Sequence, residues 1–340
     1  MHLCEGAIHI HSKHSDGTST IPEIAKYAKK AGLKWIVITD HNNLDGLEEE
    51  GWHDGVAVII GQETSPPTSD HFLALGLNEV ISEKLSPQEV INETNNKGGF
   101  GFIAHPAESK SRKNNIRPLR WTDQSVKGFY GLEIWNHLSD WADNYHEKIG
   151  IYSLLRREHI LKGPQLEVMQ WWDKLNNDHS VIIPAIGGLD VHALMFGPIC
   201  VFPYLTSFKT LTNFLCLEEN LSDDFNLAKI QVLKALKDGK NLIINRSKSK
   251  KSQNVEFYAF TEKYKAFSGY DLEFCHNFSI CIKLPKKAKI NLYCNGERQE
   301  QINSNKLIYR GNKSGKYRFE AYVNGKPWIF SNPVNVRQQI

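Results

Sequence analysis

The sequence predicts an α/β barrel followed by a small β-sandwich. Short apolar runs alternate with helical patterns up to residue 245, and this alternation is typical of α/β folds. Asp, Glu and His recur where the apolar runs end, which is where α/β barrels carry their active sites. From residue 255 onward the pattern changes to short alternating runs separated by Asn-Gly and Gly-Asn turns. Such turns are typical of antiparallel sheets.

Two helix starts have the composition of a capping box with a proline beside it. Thr20-Ile21-Pro22-Glu23 opens a helix that ends near Gly32, and Ser86-Pro87-Gln88-Glu89 opens one that ends at Gly98-Gly99. Apolar residues at helical spacing predict further helices. These lie at 166–177, 207–219 and 225–238.

The predicted strands are the apolar runs that end in polar residues. They lie at 34–41, 56–63, 71–76, 100–104, 131–136 and 181–188, after an opening run at 7–11 and before a last strand at 241–245. A polar, basic stretch at 247–254 is predicted to be a linker. It would divide a barrel domain of residues 1–246 from a β-sandwich domain of residues 255–340.

Composition limits the classes of function. A net charge of +3 is too small to indicate a nucleic-acid partner, and no apolar run has the 18 or more residues that a membrane span needs. The amino-terminal residues lack a signal-peptide pattern, so we expect a cytoplasmic location. The six cysteines are scattered without a Cys-x-x-Cys motif, which favours reduced thiols. Nothing in the composition predicts the oligomeric state.

The opening run carries the first candidate site. His9 and His11, two residues apart on an extended run, are predicted to point to the same side of a strand. Asp16, in a Ser-Asp-Gly turn, could return a carboxylate toward them. Imidazole and carboxylate ligands without a thiolate suit Zn, Mn or Fe. The motif alone is weak, because alternating histidines also occur on ordinary exposed strands.

Residues of the types that bind metals continue along the chain at the ends of the predicted strands. There are nine: His9, His11, Asp16, His41, Glu63, His71, His105, Asp190 and His192. A set of this size predicts a metal centre far more strongly than one pair of histidines.

The spacing of this set resembles the PHP (polymerase and histidinol phosphatase) superfamily over residues 6–245. The motifs that carry the resemblance are His9-Ile10-His11 with Ser15-Asp16-Gly17, Thr39-Asp40-His41, Glu63, Ala104-His105-Pro106 and Asp190-Val191-His192. Residues 133–136 and 326–333 are similar to the carbaryl-hydrolase-like (CehA/McbA) branch. Gly188-Leu189-Asp190 departs from the Ser-Asp that is more usual before the late histidine.

The resemblance implies a distorted (β/α)7 TIM-like barrel that holds two to three divalent ions of Mn, Zn or Fe. Carried over residue by residue, it implies three ligand groups: His9, His11, Glu63 and Asp190; Glu63, His71 and His105; and Asp16, His41 and His192. Glu63 would bridge the first two ions, since a carboxylate can span metals ~3.5–4 Å apart.

The resemblance also implies a metal-dependent phosphoesterase that acts on a small phosphomonoester or phosphodiester. A hydroxide bridging two ions of the trinuclear centre would attack phosphorus. Three ligand carboxylates against three divalent ions leave a cationic pocket, which favours a phosphate oxyanion. The alternative activity is hydrolysis of carbamates or carboxylic esters, and a third interpretation is a catalytically inactive scaffold.

Other residues are candidates for supporting roles. Beside the bridging Glu63, the candidate catalytic residues are Asp40 and Glu133, which would orient ligands, and His137, for which a loop role is favoured over protonation of a leaving group. Lys110, Arg112 and Arg117 are candidate substrate contacts on a basic loop, although such a charge run is more often a solvated loop. The tryptophans near the site are predicted to pack in the core rather than to line a pocket.

Overall fold

The computed structural model describes residues 2–67, 69–108, 119–144, 161–197, 199–248 and 254–339. The α-helices in these ranges are α1 (Ile21–Ala31), α2 (Pro87–Asn96), α3 (His137–Asn144), α4 (Leu166–Asp178), α5 (Tyr204–Phe208) and α6 (Phe225–Lys237). Short 3-10 helices lie at Asp45–Glu49 and Arg246–Lys248. Among these residues, no helix combines the length and the apolar character that crossing a membrane requires.

Twenty strands lie in the same ranges, twelve of them before residue 246. These are β1 (His2–Ile8), β2 (Trp35–His41), β3 (Gly51–His53), β4 (Val56–Thr64), β5 (Phe72–Leu75), β6 (Phe100–Ile103), β7 (Gly131–Asn136), β8 (Ala185–Gly188), β9 (Met195–Phe196), β10 (Ile199–Cys200), β11 (Leu211–Leu217) and β12 (Asn241–Asn245). The others are β13 (Glu256–Phe260), β14 (Lys265–Phe267), β15 (Asp271–Phe274), β16 (Phe278–Cys294), β17 (Glu297–Gly311), β18 (Gly315–Val323), β19 (Lys326–Ser331) and β20 (Val334–Gln338).

The sheet of the amino-terminal region is mixed. Strand β2 pairs in parallel with β1 and β4, and β7 pairs in parallel with β6 and β8. Strand β5 runs antiparallel between β4 and β6. An isolated parallel bridge between Ile10 and Val191 brings the chain after β8 back to β1. Strands, helices and parallel pairing together confirm the predicted α/β class, and the carboxyl ends of the parallel strands gather on one side.

Both predicted capping boxes are confirmed. The Thr20 backbone N–H donates to Glu23 Oε2 at 2.9 Å, and the Ser86 backbone N–H donates to Glu89 Oε2 at 2.8 Å. Helices α1 and α2 therefore begin where the sequence predicts.

The helix predicted at 207–219 is wrong. Helix α5 ends at Phe208, and Leu211–Leu217 forms strand β11, which pairs antiparallel with β1 and β12. All seven residues of β11 are buried. A strand buried on both faces has apolar residues without strict alternation, and such a run resembles a buried helix segment.

The carboxyl-terminal region is rich in strands, as predicted, and its sheet continues into the first one. Strand β19 pairs antiparallel with β12, with Phe330 opposite Ile243. The Phe330 ring also packs edge-on against Trp135 of β7, at 5.6 Å between ring centroids. Two of the short alternating runs of the sequence, residues 278–282 and 289–294, belong to the single long strand β16. The linker and domain boundaries placed at 246–255 stay predictions, and residues 249–253 lie outside the described residues.

Candidate metal centre

Glu63, near the end of β4, lies in the middle of the predicted ligands. Its Oε1 atom is 2.9 Å from His71 Nδ1 and 3.1 Å from His105 Nε2. Its Oε2 atom is 3.4 Å from His9 Nε2 and 3.5 Å from His11 Nε2. His41 Nδ1 also lies 3.0 Å from Oε2. The two oxygens of one carboxylate therefore face different sets of imidazoles, which is the arrangement that a bridging ligand requires.

Asp190 and Asp16 extend the cluster in two directions. Asp190 Oδ1 lies 3.7 Å from His9 Nε2 and 3.5 Å from His11 Nε2. Asp16 Oδ1 lies 3.1 Å from His192 Nε2 and 3.6 Å from His41 Nε2. Eight of the nine residues thus form overlapping groups whose ligand atoms are close enough to share ions, and His71 joins them through its contact with Glu63. The structure brings all nine together, and their binding of metal stays a prediction.

Hydrogen bonds orient five of the six imidazoles. Each has one ring nitrogen beside an oxygen at the edge of the centre: His9 Nδ1 at Glu133 Oε1 (2.7 Å), His41 Nδ1 at Ser65 Oγ (2.7 Å), His71 Nε2 at the Pro66 carbonyl (3.2 Å), His105 Nδ1 at the Leu119 carbonyl (2.8 Å) and His192 Nδ1 at the Asp190 carbonyl (3.0 Å). When the ring is neutral, an N–H donated there leaves its other nitrogen with a lone pair toward the centre.

Several buried polar atoms at the centre have no hydrogen-bond partner among the described residues. They are His9 Nε2, both ring nitrogens of His11 and Glu63 Oε2. An unsatisfied buried polar group costs roughly 1–3 kcal/mol, so four of them in one place need an explanation. Divalent ions would satisfy three of them, namely His9 Nε2, Glu63 Oε2 and whichever ring nitrogen of His11 carries no proton. Imidazole with carboxylate is a donor set that Zn, Mn and Fe accept. The residues present therefore fit the implied metals.

The electrostatics of the cluster favour cations. Burial opposes the charge on Glu63, but His9 and His71 outweigh it and hold the pKa of Glu63 well below its usual value. Burial, together with His192, lowers the pKa of His11 to about 3. Burial also opposes the charge on His105, but Glu63 raises the pKa of His105 to about 9. At neutral pH the carboxylate is thus ionised, and His11 is neutral with a lone pair on one ring nitrogen.

Comparison with known proteins identifies the region that holds most of these ligands. Residues 7–159 match the family model of the PHP domain. This match agrees with the predicted superfamily over residues 7–159, and the CehA/McbA branch stays a prediction.

Individual similar proteins give less information about this chain than the family model does. An uncharacterized protein of Methanocaldococcus jannaschii is 36% identical over 116 residues, and the match covers 29% of this chain and 66% of that protein's length. A solved two-domain protein from Bacteroides vulgatus, "containing predicted PHP-like metal-dependent phosphoesterase", has a TM-score of 0.48 at 15% identity over 98% of this chain and 95% of that chain. An amidohydrolase from Chromobacterium violaceum has a TM-score of 0.36 at 15% identity, and the match covers 57% of this chain and 93% of that chain. At these TM-scores neither similarity bears on the activity.

Glu133 connects two of the predicted ligands. Besides His9, its carboxylate accepts hydrogen bonds from the backbone N–H of His105 at 2.6 Å and from Asn136 Nδ2 at 3.0 Å. A Cβ atom at Gly188 would lie 1.5 Å from Glu133 Oε1. Position 188 therefore tolerates only glycine while Glu133 holds this place.

Asp40 supports the turn that leads to Asp16. Its carboxylate accepts hydrogen bonds from the Ser12 backbone N–H at 2.7 Å, the Ser12 hydroxyl at 2.6 Å and the Ser15 hydroxyl at 2.5 Å. With these bonds Asp40 fixes the path of the chain between His11 and Asp16.

The remaining candidates differ in their surroundings. His137, at the start of α3, is buried and packs edge-on against Phe202 at 5.3 Å between ring centroids. Trp121, Trp135, Trp171 and Trp172 are buried in the core. The candidate substrate contacts lie outside the described residues: Lys110, Arg112 and Arg117.

The extended geometry predicted for His9 is wrong. Strand β1 ends at Ile8, and His9 has a left-handed φ of 66°. His105 (27°) and Asp190 (52°) are left-handed as well, which is uncommon for residues other than glycine and concentrates at functional sites. Both histidines of the His-x-His motif still reach Glu63, because the Asp190 N–H donates to the His9 carbonyl at 2.7 Å and holds the turned chain.

Sequence reasoning missed several supporting residues. Ser65 beside His41 and Asn136 beside Glu133 have no motif of their own. Asn136 Nδ2 also lies 3.4 Å from Asp190 Oδ2, across a separation of 54 residues. The sequence signal that could have pointed to Asn136 is its place as a polar residue at the end of β7.

Proposed function

We propose that the chain is a metal-dependent phosphoesterase that hydrolyses a small phosphomonoester or phosphodiester with two to three divalent ions of Mn, Zn or Fe. The observation that carries this proposal is the position of Glu63, whose two oxygens face different sets of imidazoles. That geometry supports neighbouring ions, which is a common arrangement in phosphatases and nucleases.

The chain's own residues determine what such a centre binds. The nine ligands include three carboxylates, so three divalent ions leave a net positive charge that favours a phosphate oxyanion over a neutral ester. When bound, the ions supply Lewis acidity and lower the pKa of a bound water. Glu133 selects the ring nitrogen that His9 presents, and Asp40 holds the turn that brings Asp16 to the centre.

Two other functions remain as outcomes of the test. A hydrolase of carbamates or carboxylic esters has less need for three ions and for a strongly cationic pocket. A catalytically inactive scaffold would be marked by missing ligands, whereas all nine residues lie together here.

A substrate panel tests the proposal. The protein is stripped with a chelator, reloaded separately with Mn, Zn and Fe, and assayed on nitrophenyl phosphate, bis(nitrophenyl) phosphate, nitrophenyl acetate and a nitrophenyl carbamate. We expect hydrolysis of at least one phosphate ester that the chelator abolishes and a metal restores. Faster hydrolysis of the acetate or the carbamate, or activity that the chelator leaves unchanged, would overturn the proposal.

A further inference from the structure

Strand β8 leads directly to Asp190 and His192, yet only one of its edges pairs with another strand. In the part of the chain that the structure describes, β8 pairs with β7 alone. Pairing with β1 begins beyond the strand, where the Leu189 N–H donates to the Ile8 carbonyl at 3.0 Å. Earlier residues of β1 turn away and pair with β11 instead. A gap therefore opens beside Ala185 and Gly187.

Side-chain amides occupy this gap and take the place of a strand. Asn332 Oδ1 accepts from the Ala185 N–H at 2.7 Å, and Asn332 Nδ2 donates to the Ala185 carbonyl at 2.9 Å. Asn213 makes the same pair of hydrogen bonds to Gly187. Its Oδ1 atom accepts from the Gly187 N–H at 3.0 Å, and its Nδ2 atom donates to the Gly187 carbonyl at 2.7 Å. Each amide thus reproduces the pair of hydrogen bonds that a neighbouring strand would make.

Asn241 joins the two amides into one network. Its Nδ2 atom donates to the Ala185 carbonyl at 3.1 Å and to Asn213 Oδ1 at 3.2 Å, and its Oδ1 atom accepts from Asn332 Nδ2 at 2.9 Å. All three asparagines are completely buried. We call Asn213, Asn241 and Asn332 the amide ladder.

The amide ladder joins distant parts of the fold. Asn213 lies on β11, Asn241 on β12, and Asn332 directly follows β19 in the carboxyl-terminal region. A Cβ atom at Gly187 would lie 2.6 Å from Ile243 Cγ2. The glycine therefore allows β8 to approach β12 closely enough for the amides to reach its backbone.

We propose that the amide ladder is a positioning device for the metal centre, and that Asn332 makes the carboxyl-terminal sheet a part of that centre. The ladder holds β8 at a fixed distance from β11 and β12. The position of β8 in turn sets where Asp190 and His192 present their ligand atoms. This inference rests on the metal centre of the proposed function.

The proposal predicts a selective effect. Asp190 and His192 belong to the groups that contain His11. Glu63 lies on β4, His71 directly precedes β5 and His105 follows β6. Among the described residues, the hydrogen bonds of the amide ladder do not reach these three strands. Disturbing the ladder should therefore weaken some ion sites and leave the ion between Glu63, His71 and His105 in place.

The test is Asn332→Leu, which keeps the approximate volume and removes every hydrogen bond of the amide. Cobalt(II) is titrated into the metal-free full chain, and its visible absorption and bound stoichiometry are followed. We expect the sites that use Asp190 and His192 to weaken by about tenfold or more, with one ion retained at its original affinity. Asn332→Ala, which leaves room for a water beside Ala185, should give the same selective loss and serves if the leucine variant does not fold.

The matched control is Asn335→Leu. Asn335 is also buried in the carboxyl-terminal sheet, but its Nδ2 atom donates to Asp271 at 2.8 Å, away from β8. This variant should melt at a lower temperature and bind every ion normally. Normal cobalt binding by the Asn332 variants, or an equal weakening of all sites that Asn335→Leu reproduces, would overturn the inference. If the unmodified protein binds no ion, the proposed function itself fails, which distinguishes the two failures.

Discussion

Glu63 is the residue on which the predicted centre depends most. It is 1% exposed and lies within 3.5 Å of imidazole nitrogens on both of its oxygens. A glutamine of the same size would offer one carbonyl oxygen and one N–H₂ group in their place. Since an N–H₂ group does not bind cations, one side of the bridge would be lost.

We expect Glu63→Gln to lose the two bridged ions and at least about 100-fold in turnover on phosphate esters. Metal analysis of the purified variant and kcat on the substrate panel measure this. Glu50→Gln is a suitable control, because Glu50 is also a partly buried carboxylate that accepts from a β4 backbone N–H, at Ile60, and pairs with Lys229. Near-normal metal content and activity in Glu63→Gln would contradict the assigned bridge.

Gly188 provides a second test at the residue scale. The added methyl group of Gly188→Ala would lie 1.5 Å from Glu133 Oε1 and 3.0 Å from His9 Cβ, so Glu133 must move and His9 loses its hydrogen-bond partner. We expect metal affinity to fall by about 10–100-fold, as measured by metal titration. Gly98→Ala, at a position with φ +79 and open space, should lower the melting temperature without changing metal binding. Equal metal affinities in both variants would refute the role given to Glu133.

At the scale of elements, α4 and β18 are joined by a buried ion-pair network. Arg318 of β18 donates from Nε and Nη2 to the two carboxylate oxygens of Asp173 of α4, at 2.8 and 2.7 Å. Its Nη1 atom donates to Glu320 at 2.6 Å. The Arg318 side chain is 5% exposed, so its removal would leave two carboxylates without their cation.

We expect Arg318→Met to lower the free energy of unfolding by about 3 kcal/mol, since breaking a buried pair leaves uncompensated charge. Urea unfolding at neutral pH measures this. The control, Arg337→Met, removes an ion pair to Asp271 whose side chains are 49% and 52% exposed, and should cost less than about 1 kcal/mol. Equal losses in the two variants would show that burial does not determine the contribution of Arg318.

Elements with local signals were predictable from the sequence, and those that depend on distant partners were not. The capping boxes of α1 and α2 and the apolar strands β2 and β4 are encoded by adjacent residues. Strand β11 was missed, because its pairing with β1 joins residues far apart in sequence. The ligand set was predictable because it stands at strand ends. The turn at His9 was not, since a bond from Asp190 determines it.

At the scale of the whole molecule, metal binding is coupled to proton release. Burial opposes the charge on His105, but its hydrogen bond to Glu63 raises its pKa to about 9 in the metal-free protein. His9 and His41 have raised pKa values as well, with neighbouring carboxylates outweighing burial. An imidazole must give up its proton before it binds an ion. Metal affinity should therefore increase as pH rises toward about 9 and change less above it.

Calorimetry checks this coupling. We expect manganese binding at pH 7.5 to release at least about one proton, so the apparent binding enthalpy should vary with the ionisation enthalpy of the buffer. The melting temperature should rise on metal addition, because the ions bind the folded chain. Binding enthalpies that are the same in every buffer would contradict the protonated state assigned to His105.

The hydrogen bonds between Asn332 and Ala185 join residues 147 positions apart. During synthesis, β8 leaves the ribosome long before Asn332 has been made. Until then Ala185 lacks both hydrogen bonds to Asn332, although Asn241, which is made earlier, can already donate to its carbonyl. The nascent amino-terminal region can collapse early, but the strand that carries Asp190 and His192 gains its last constraints only when the later strands arrive. Maturation of the centre is thus ordered in time by the length of chain between these two residues.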